Sequence, residues 1–123
     1  MLYKNHMSNA EQHDRIFKAL GNAVRRSILD TLRDQPLTTG ALCDQFDELD
    51  RCTIMLHLRV LAEADLVIVE RRGRERWNHL NPLPIHDIHE RWIGPHAQDA
   101  VSRLAKLKRH LERESQRGRA AAE

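Results

Sequence analysis

The apolar residues of this chain keep the three-and-four spacing of amphipathic helices almost throughout and break from it in one place. After Ala64-Asp65 they run together as Leu66-Val67-Ile68-Val69, a stretch that leads through Arg71-Arg72-Gly73-Arg74 to Trp77-Asn78-His79-Leu80. β-Branched side chains crowd the turn of a helix but suit a pleated strand, and glycine between two such stretches supplies a tight turn. The pattern therefore predicts a mainly α fold carrying one small β-hairpin, with Gly73 at its tip.

The helices follow from the remaining stripes. Ile16, Phe17 and Leu20 predict a first helix over residues 10–20, closed by Gly21-Asn22. Val24, Ile28, Leu29 and Leu32 predict a second, running to about Arg33 and ended ahead of Pro36, because proline disfavours helix in the residue before it. Thr38 or Thr39 caps a short third helix with Leu42 and Phe46 on its buried side, and 47–50 forms a turn. Asp50 then caps a fourth, from Arg51 to about Ala64, with Ile54, Leu58 and Leu61 inward. Beyond the hairpin, Asn81-Pro82 ends the strand, Pro84 opens a short amphipathic segment reaching Ile93, and Gly94-Pro95 breaks it. A last helix carries Ala97, Ala100, Val101, Leu104, Leu107 and Leu111 on one side and lysines and arginines on the other.

A length of 123 residues allows one domain. The expected division is a mobile arm over 1–9, a folded domain over 10–111 and a frayed tail over 112–123. Hydrophobic residues make up 41% of the chain, enough for a core, while 4% aromatic and 31% charged residues argue against an all-β protein. No apolar run approaches the roughly 20 residues that span a bilayer, and the first eleven residues offer no signal-peptide stretch, so a cytoplasmic protein is expected. Cys43 and Cys52 are too few for a disulfide framework and form no C-x-x-C pair. They read as partly buried thiols, with a redox switch as the alternative. Phosphate loop, nucleophile elbow and paired-carboxylate motifs are missing, so no catalytic residue and no cofactor is assigned.

Helix, helix, short helix, turn, helix, hairpin, helix, helix is the order of a helix-turn-helix followed by a wing. A major groove about 12 Å wide accepts one helix, held by its apolar face while the opposite face meets base edges. With Ile54, Leu58 and Leu61 inward, a 100° step per residue turns Arg51, Cys52, Met55, Leu56 and Arg59 outward. The arginines suit guanine or phosphate. Met55 and Leu56 offer apolar contact, to thymine methyls or to a neighbouring helix. His57, beside the buried face, either bonds a phosphate or caps the core. Arg71, Arg72, Arg74 and Arg76 gather four cations around the hairpin turn, as phosphate ligands or as a solvated surface, with Glu70 and Glu75 partly neutralising them. Asp44, Asp47, Glu48 and Asp50 make the turn before the fourth helix acidic, so that turn is expected to face away from a duplex.

These residues resemble the ArsR-type winged-helix repressors of bacteria, from about Ile16 to Leu111. The likeness is carried by Lys18-Ala19-Leu20-Gly21-Asn22-Ala23-Val24-Arg25-Arg26-Ser27-Ile28-Leu29, by Thr53-Ile54-Met55-Leu56-His57-Leu58-Arg59-Val60-Leu61, and by Ala64-Asp65-Leu66-Val67, Arg72-Gly73-Arg74 and Leu80-Asn81-Pro82. The resemblance implies a winged helix-turn-helix homodimer that reads a palindromic operator in double-stranded DNA and represses transcription. It places Thr39, Arg51, Thr53, His57, Arg59 and the wing arginines at DNA-contacting positions, with the neighbouring cap Thr38 beside them. It also implies a dimer joined through the first and last helices, by Ile16, Phe17, Leu20, Val101, Leu104, Leu107 and Leu111. The last stripe supports this independently, being too long for one small core to cover. Met55 and Leu56 depart from the serine and polar residue of many members, so the operator sequence does not carry over.

Many relatives release DNA on binding a metal. The thiolate pair they use is absent from Leu37-Thr38-Thr39-Gly40-Ala41-Leu42-Cys43, and Asp87, His89, His96 and Asp99 are interrupted by Gly94-Pro95, so no metal ligand is assigned. A zinc-responsive repressor and a winged helix that binds only protein stand as the alternatives.

Overall fold

Four side chains start four helices in the computed structural model, which describes residues 8–94 and 97–122. Ser8 accepts from the backbone N–H of Glu11 to open α1 (Asn9–Leu20), and Asn22 from Arg25 to open α2 (Ala23–Asp34). Thr38 accepts from Ala41 at α3 (Thr39–Gln45), and Asp50 from Thr53 at α4 (Arg51–Glu63). Each bond satisfies an N–H that the first helical turn otherwise leaves without an acceptor.

Helix α4 ends in a Schellman motif. Leu66 N–H reaches the Leu61 carbonyl at 2.9 Å and Asp65 N–H the Ala62 carbonyl at 3.0 Å, with Asp65 left-handed at φ 63°. The hydrophobic contact of that motif is made by Leu61 and Leu66, both fully buried. Asn81 then donates to the Asp65 carbonyl at 2.8 Å and accepts from Leu83 N–H at 3.2 Å, tying this turn to the start of α5 (Leu83–Trp92).

The hairpin joins β2 (Val67–Arg72) to β3 (Glu75–Leu80) through Gly73 and Arg74. Gly73 sits at φ 62°, which suits the first position of a two-residue turn whose twist matches the strands. A third strand, β1 (Leu37–Thr38), pairs antiparallel with β3 and puts β3 in the middle of the sheet. The expectation of a hairpin alone missed β1, because two residues after a proline carry no alternation to read.

The core is built from Ile28 and Leu32 of α2, Leu42 of α3, Ile54, Leu58 and Leu61 of α4, and Leu66 and Val67 at the start of the sheet. Ile16 joins it, which removes that residue from the expected dimer surface: its side of α1 packs inward with Ala19, while Phe17 is turned out.

The chain divides between Asp87 and Ile88 into two compact units, a boundary that falls within α5. In the second unit α6 runs as one helix over Gln98–Ala122, past the expected end at Leu111. Glu112, Arg113, Glu114, Arg117 and Arg119 to Ala122 include strong helix formers and carry the turn onward. At the other end, helix begins at Asn9, within the segment expected to be an arm; residues 1–7 lie outside the described residues.

Asn78, 1% exposed on β3, donates to the Leu37 carbonyl at 3.2 Å and to the Thr39 hydroxyl at 3.1 Å. Asn78→Ala leaves the buried Thr39 hydroxyl and the part-buried Leu37 carbonyl without this donor, and a stability loss of about 2 kcal/mol is expected in urea unfolding. A loss below about 0.5 kcal/mol would show that the bonds are replaced.

Candidate nucleic-acid interface

Antiparallel pairing settles which wing residues share a face, since directly opposed residues point the same way. Val67 faces Leu80, Val69 faces Asn78 and Arg71 faces Arg76, so the face that begins in the core ends in two opposed guanidinium groups. The other face carries Ile68 with His79, Glu70 with Trp77, and Arg72 with Glu75. The hairpin thereby separates its charges, which the bare sequence left mixed.

On the outer face Glu70 is compensated. Glu70 accepts from Arg72 Nε at 2.9 Å and lies 3.0 Å from His79 Nε2, and Arg72 lies over the Trp77 ring at 4.8 Å. These two partners, Arg72 first, hold the Glu70 carboxyl below the usual carboxylate range. On the inner face no such compensation exists: among the described residues Arg71 and Arg76 make no ion pair, nor do Arg74 in the turn and Arg51 of α4. Like charges directly opposed across a hairpin are unfavourable, and an anion between them relieves the repulsion.

That inner face borders a cleft of about 510 Å³. Thr38 and Gly40 at the start of α3, Arg51 and Met55 of α4, and Arg71, Arg74 and Arg76 of the wing line it. Glu75 lines it too, as its one acidic residue, whereas Asp44, Asp47 and Glu48 of the acidic turn do not. The cleft is thus cationic on two sides with an apolar patch between them, a shape suited to a phosphate backbone beside base edges.

The remaining candidates are placed differently. Thr39 borders the cleft but is buried, and its hydroxyl is turned inward to Asn78. As a ready DNA contact it is corrected, because an α3 side chain at the first helical position meets the central strand. Thr53 is half-buried, and its backbone N–H is taken by Asp50 at 2.7 Å. Leu56 is exposed, and Arg59 lies along the helix against Glu63 at 3.3 Å. Of the dimer candidates, Phe17, Val101, Leu104, Leu107 and Leu111 are exposed and Leu20 is half-buried. Cys43 is half-buried and Cys52 exposed.

Asp87 lies 4.0 Å from His86 Nδ1, His89 Nδ1 lies 3.6 Å from Glu90, and Asp99 lies in the first turn of α6. His96 lies outside the described residues. Among the described residues no three metal-ligating side chains converge.

His57 is half-buried beside Arg25, whose Nη1 is 3.4 Å from its Nδ1. Arginine only donates, so Nδ1 accepts and the neutral ring carries its proton on Nε2. The same guanidinium donates to the carbonyls of Ala19 at 2.7 Å and Lys18 at 3.1 Å, and Arg26 reaches that of Leu20 at 2.6 Å. These arginines satisfy the carbonyl end of α1, where cations also suit the helix dipole. Sequence reasoning gave Arg25 no role; its signal was a cation pair just past the end of a helix.

A family profile described as a helix-turn-helix domain matches residues 20–70 of this chain. The chain is 40% identical over 86 residues to the HTH-type transcriptional regulator YuzN of Bacillus subtilis, covering 65% of this chain and 94% of that one. It is 31% identical over 72 residues to the transcriptional repressor SdpR of the same organism, covering 58% and 79%. The fold matches an ArsR-like transcriptional regulator from Rhodococcus sp. RHA1 with a TM-score of 0.62 at 24% identity, over 82% of this chain and 91% of that one.

Burial first, and then the Arg25 charge, holds the pKa of His57 below its ordinary 6.5. The unfolded chain therefore takes up this proton before the folded one. The His57 contribution to stability is complete above about pH 6.5 and is lost as pH falls from there through the folded pKa. An NMR titration is expected to give a His57 midpoint below 6.5 that rises in Arg25→Ala; a wild-type midpoint at or above 6.5 would contradict the contact.

Proposed function

This chain belongs to the HTH-type transcriptional regulators, and from that premise we propose that it is an ArsR-type winged helix-turn-helix protein that represses transcription by occupying a palindromic operator as a homodimer. The protein is a DNA-binding transcriptional regulator. The observation that carries the finer reading is the unpaired Arg71 and Arg76 on the cleft side of the wing, facing Arg51 at the start of α4. Cations held on two rigid elements about a groove suit two stretches of one phosphate backbone, and their counterion release supplies affinity. Helix α4 enters the major groove with Arg51, Met55 and Leu56 leading, and the wing arginines lie along the flanking backbone.

The dimer is carried by α6. Val101, Leu104, Leu107 and Leu111 form an exposed stripe, Leu104 at 64%, on a helix without a buried residue among those described. A second copy of the same stripe gives a closed, two-fold pairing, with Phe17 and Leu20 of α1 as further dimer candidates, and a two-fold dimer matches a palindrome whose half-sites lie about 34 Å apart. Occupying such a site excludes polymerase without any catalytic step. No helix among the described residues is long and apolar enough to cross a membrane, and the working compartment in this reading is the cytoplasm.

Two measurements test this. Operator affinity followed against salt is expected to fall steeply, and Arg71→Ala or Arg76→Ala to lower the slope by about 1 each. The same variants are expected to raise the stability of the free protein by a few tenths of a kcal/mol, about the size of a relieved like-charge pair. An unchanged slope would remove the wing from the interface. Leu104→Glu with Leu107→Glu is expected to give a folded monomer by sedimentation, with operator affinity reduced at least about tenfold. A monomer that binds as tightly as the parent would defeat the dimer reading.

A further inference from the structure

We propose that Met55 and Leu56 read the 5-methyl groups of thymines in the major groove, about two base pairs from a guanine met by Arg51. The inference rests on the DNA-binding reading above and adds to it the sequence class of the half-site.

The outward side of α4 has few hydrogen-bonding groups left to read bases. Arg59 lies against Glu63 at 3.3 Å, His57 is engaged by Arg25, and the Thr39 hydroxyl beside the helix accepts from Asn78. Arg51 at the first turn keeps an uncommitted guanidinium, with the fork that fits guanine O6 and N7. One turn later stand Met55 and Leu56, 41% and 61% exposed, and Met55 lines the cleft between the arginines.

An apolar pair between cations is covered when the helix enters the groove, and the edge that covers it decides the free energy. The thymine methyl is the apolar feature of that groove. Guanine O6 and N7 and the cytosine amino group lose their water against Met55 and Leu56 without gaining a partner, so G·C pairs are disfavoured there. Four residues of helix rise about 6 Å, against about 3.4 Å per base pair, which places the methyl contacts two base pairs from the Arg51 contact.

The test uses the full chain. Duplexes retained from a randomised library are sequenced, and the best is remade with deoxyuridine for each thymine in turn. At thymines two base pairs from the enriched guanine, loss of the methyl is expected to weaken binding about fourfold, with the salt slope unchanged. In the Met55→Ala, Leu56→Ala variant the thymine and deoxyuridine duplexes are expected to bind equally. Equal binding by the parent protein overturns the proposal, as does enrichment of G·C at those positions. No enrichment, with low-salt retention of any duplex, overturns it too and assigns the apolar pair to a protein neighbour. Loss of all duplex retention sinks the DNA-binding reading itself.

Discussion

Asn78 stands in the central strand of the sheet with its amide nitrogen shared between the Leu37 carbonyl of β1 and the Thr39 hydroxyl of α3. A buried amide is costly without partners, and these two are present together only when the wing lies against the helix-turn-helix in one register. A slip of β3 by one residue would carry Asn78 to the solvent face and Trp77 into the core. The cleft depends on that register, since its opposite walls are α4 and the cationic face of the hairpin. The cleft is in this sense held from behind, by a buried polar contact of the strand that supports it.

The same register explains how a wing that carries two glutamates among four arginines presents one cationic face. Alternation along β2 and β3 sends Glu70 outward, where Arg72 and His79 neutralise it, and leaves Arg71 and Arg76 opposed on the inner face. Like charges opposed in this way are unfavourable, and an anion placed between them would relieve the repulsion. Functional sites commonly hold unfavourable local choices of this kind.

The second unit follows another logic. A helix of 25 residues with all its leucines exposed gains little from its own packing, and helices of this kind are stabilised by covering an apolar face. Its basic flank carries Lys106, Arg109 and Arg113, and its other side carries the exposed apolar stripe of Val101, Leu104, Leu107 and Leu111.

The periodicity of side chains determined the elements from the sequence alone. The helices, the Asp50 cap, the inward Ile54, Leu58 and Leu61 and the Gly73 turn are local properties, legible over a few residues. Outward placement of Met55 and Leu56 follows from the same wheel. Tertiary structure alone decided the rest: the strand β1, the inward turn of Ile16 and Thr39, the sorting of wing charges, and the Arg25 contact to His57. That contact and the Asn78 bond to Thr39 span 32 and 39 residues of chain. Over such separations no periodicity links the partners, and they meet only because burial of the apolar stripes has already folded the backbone between them.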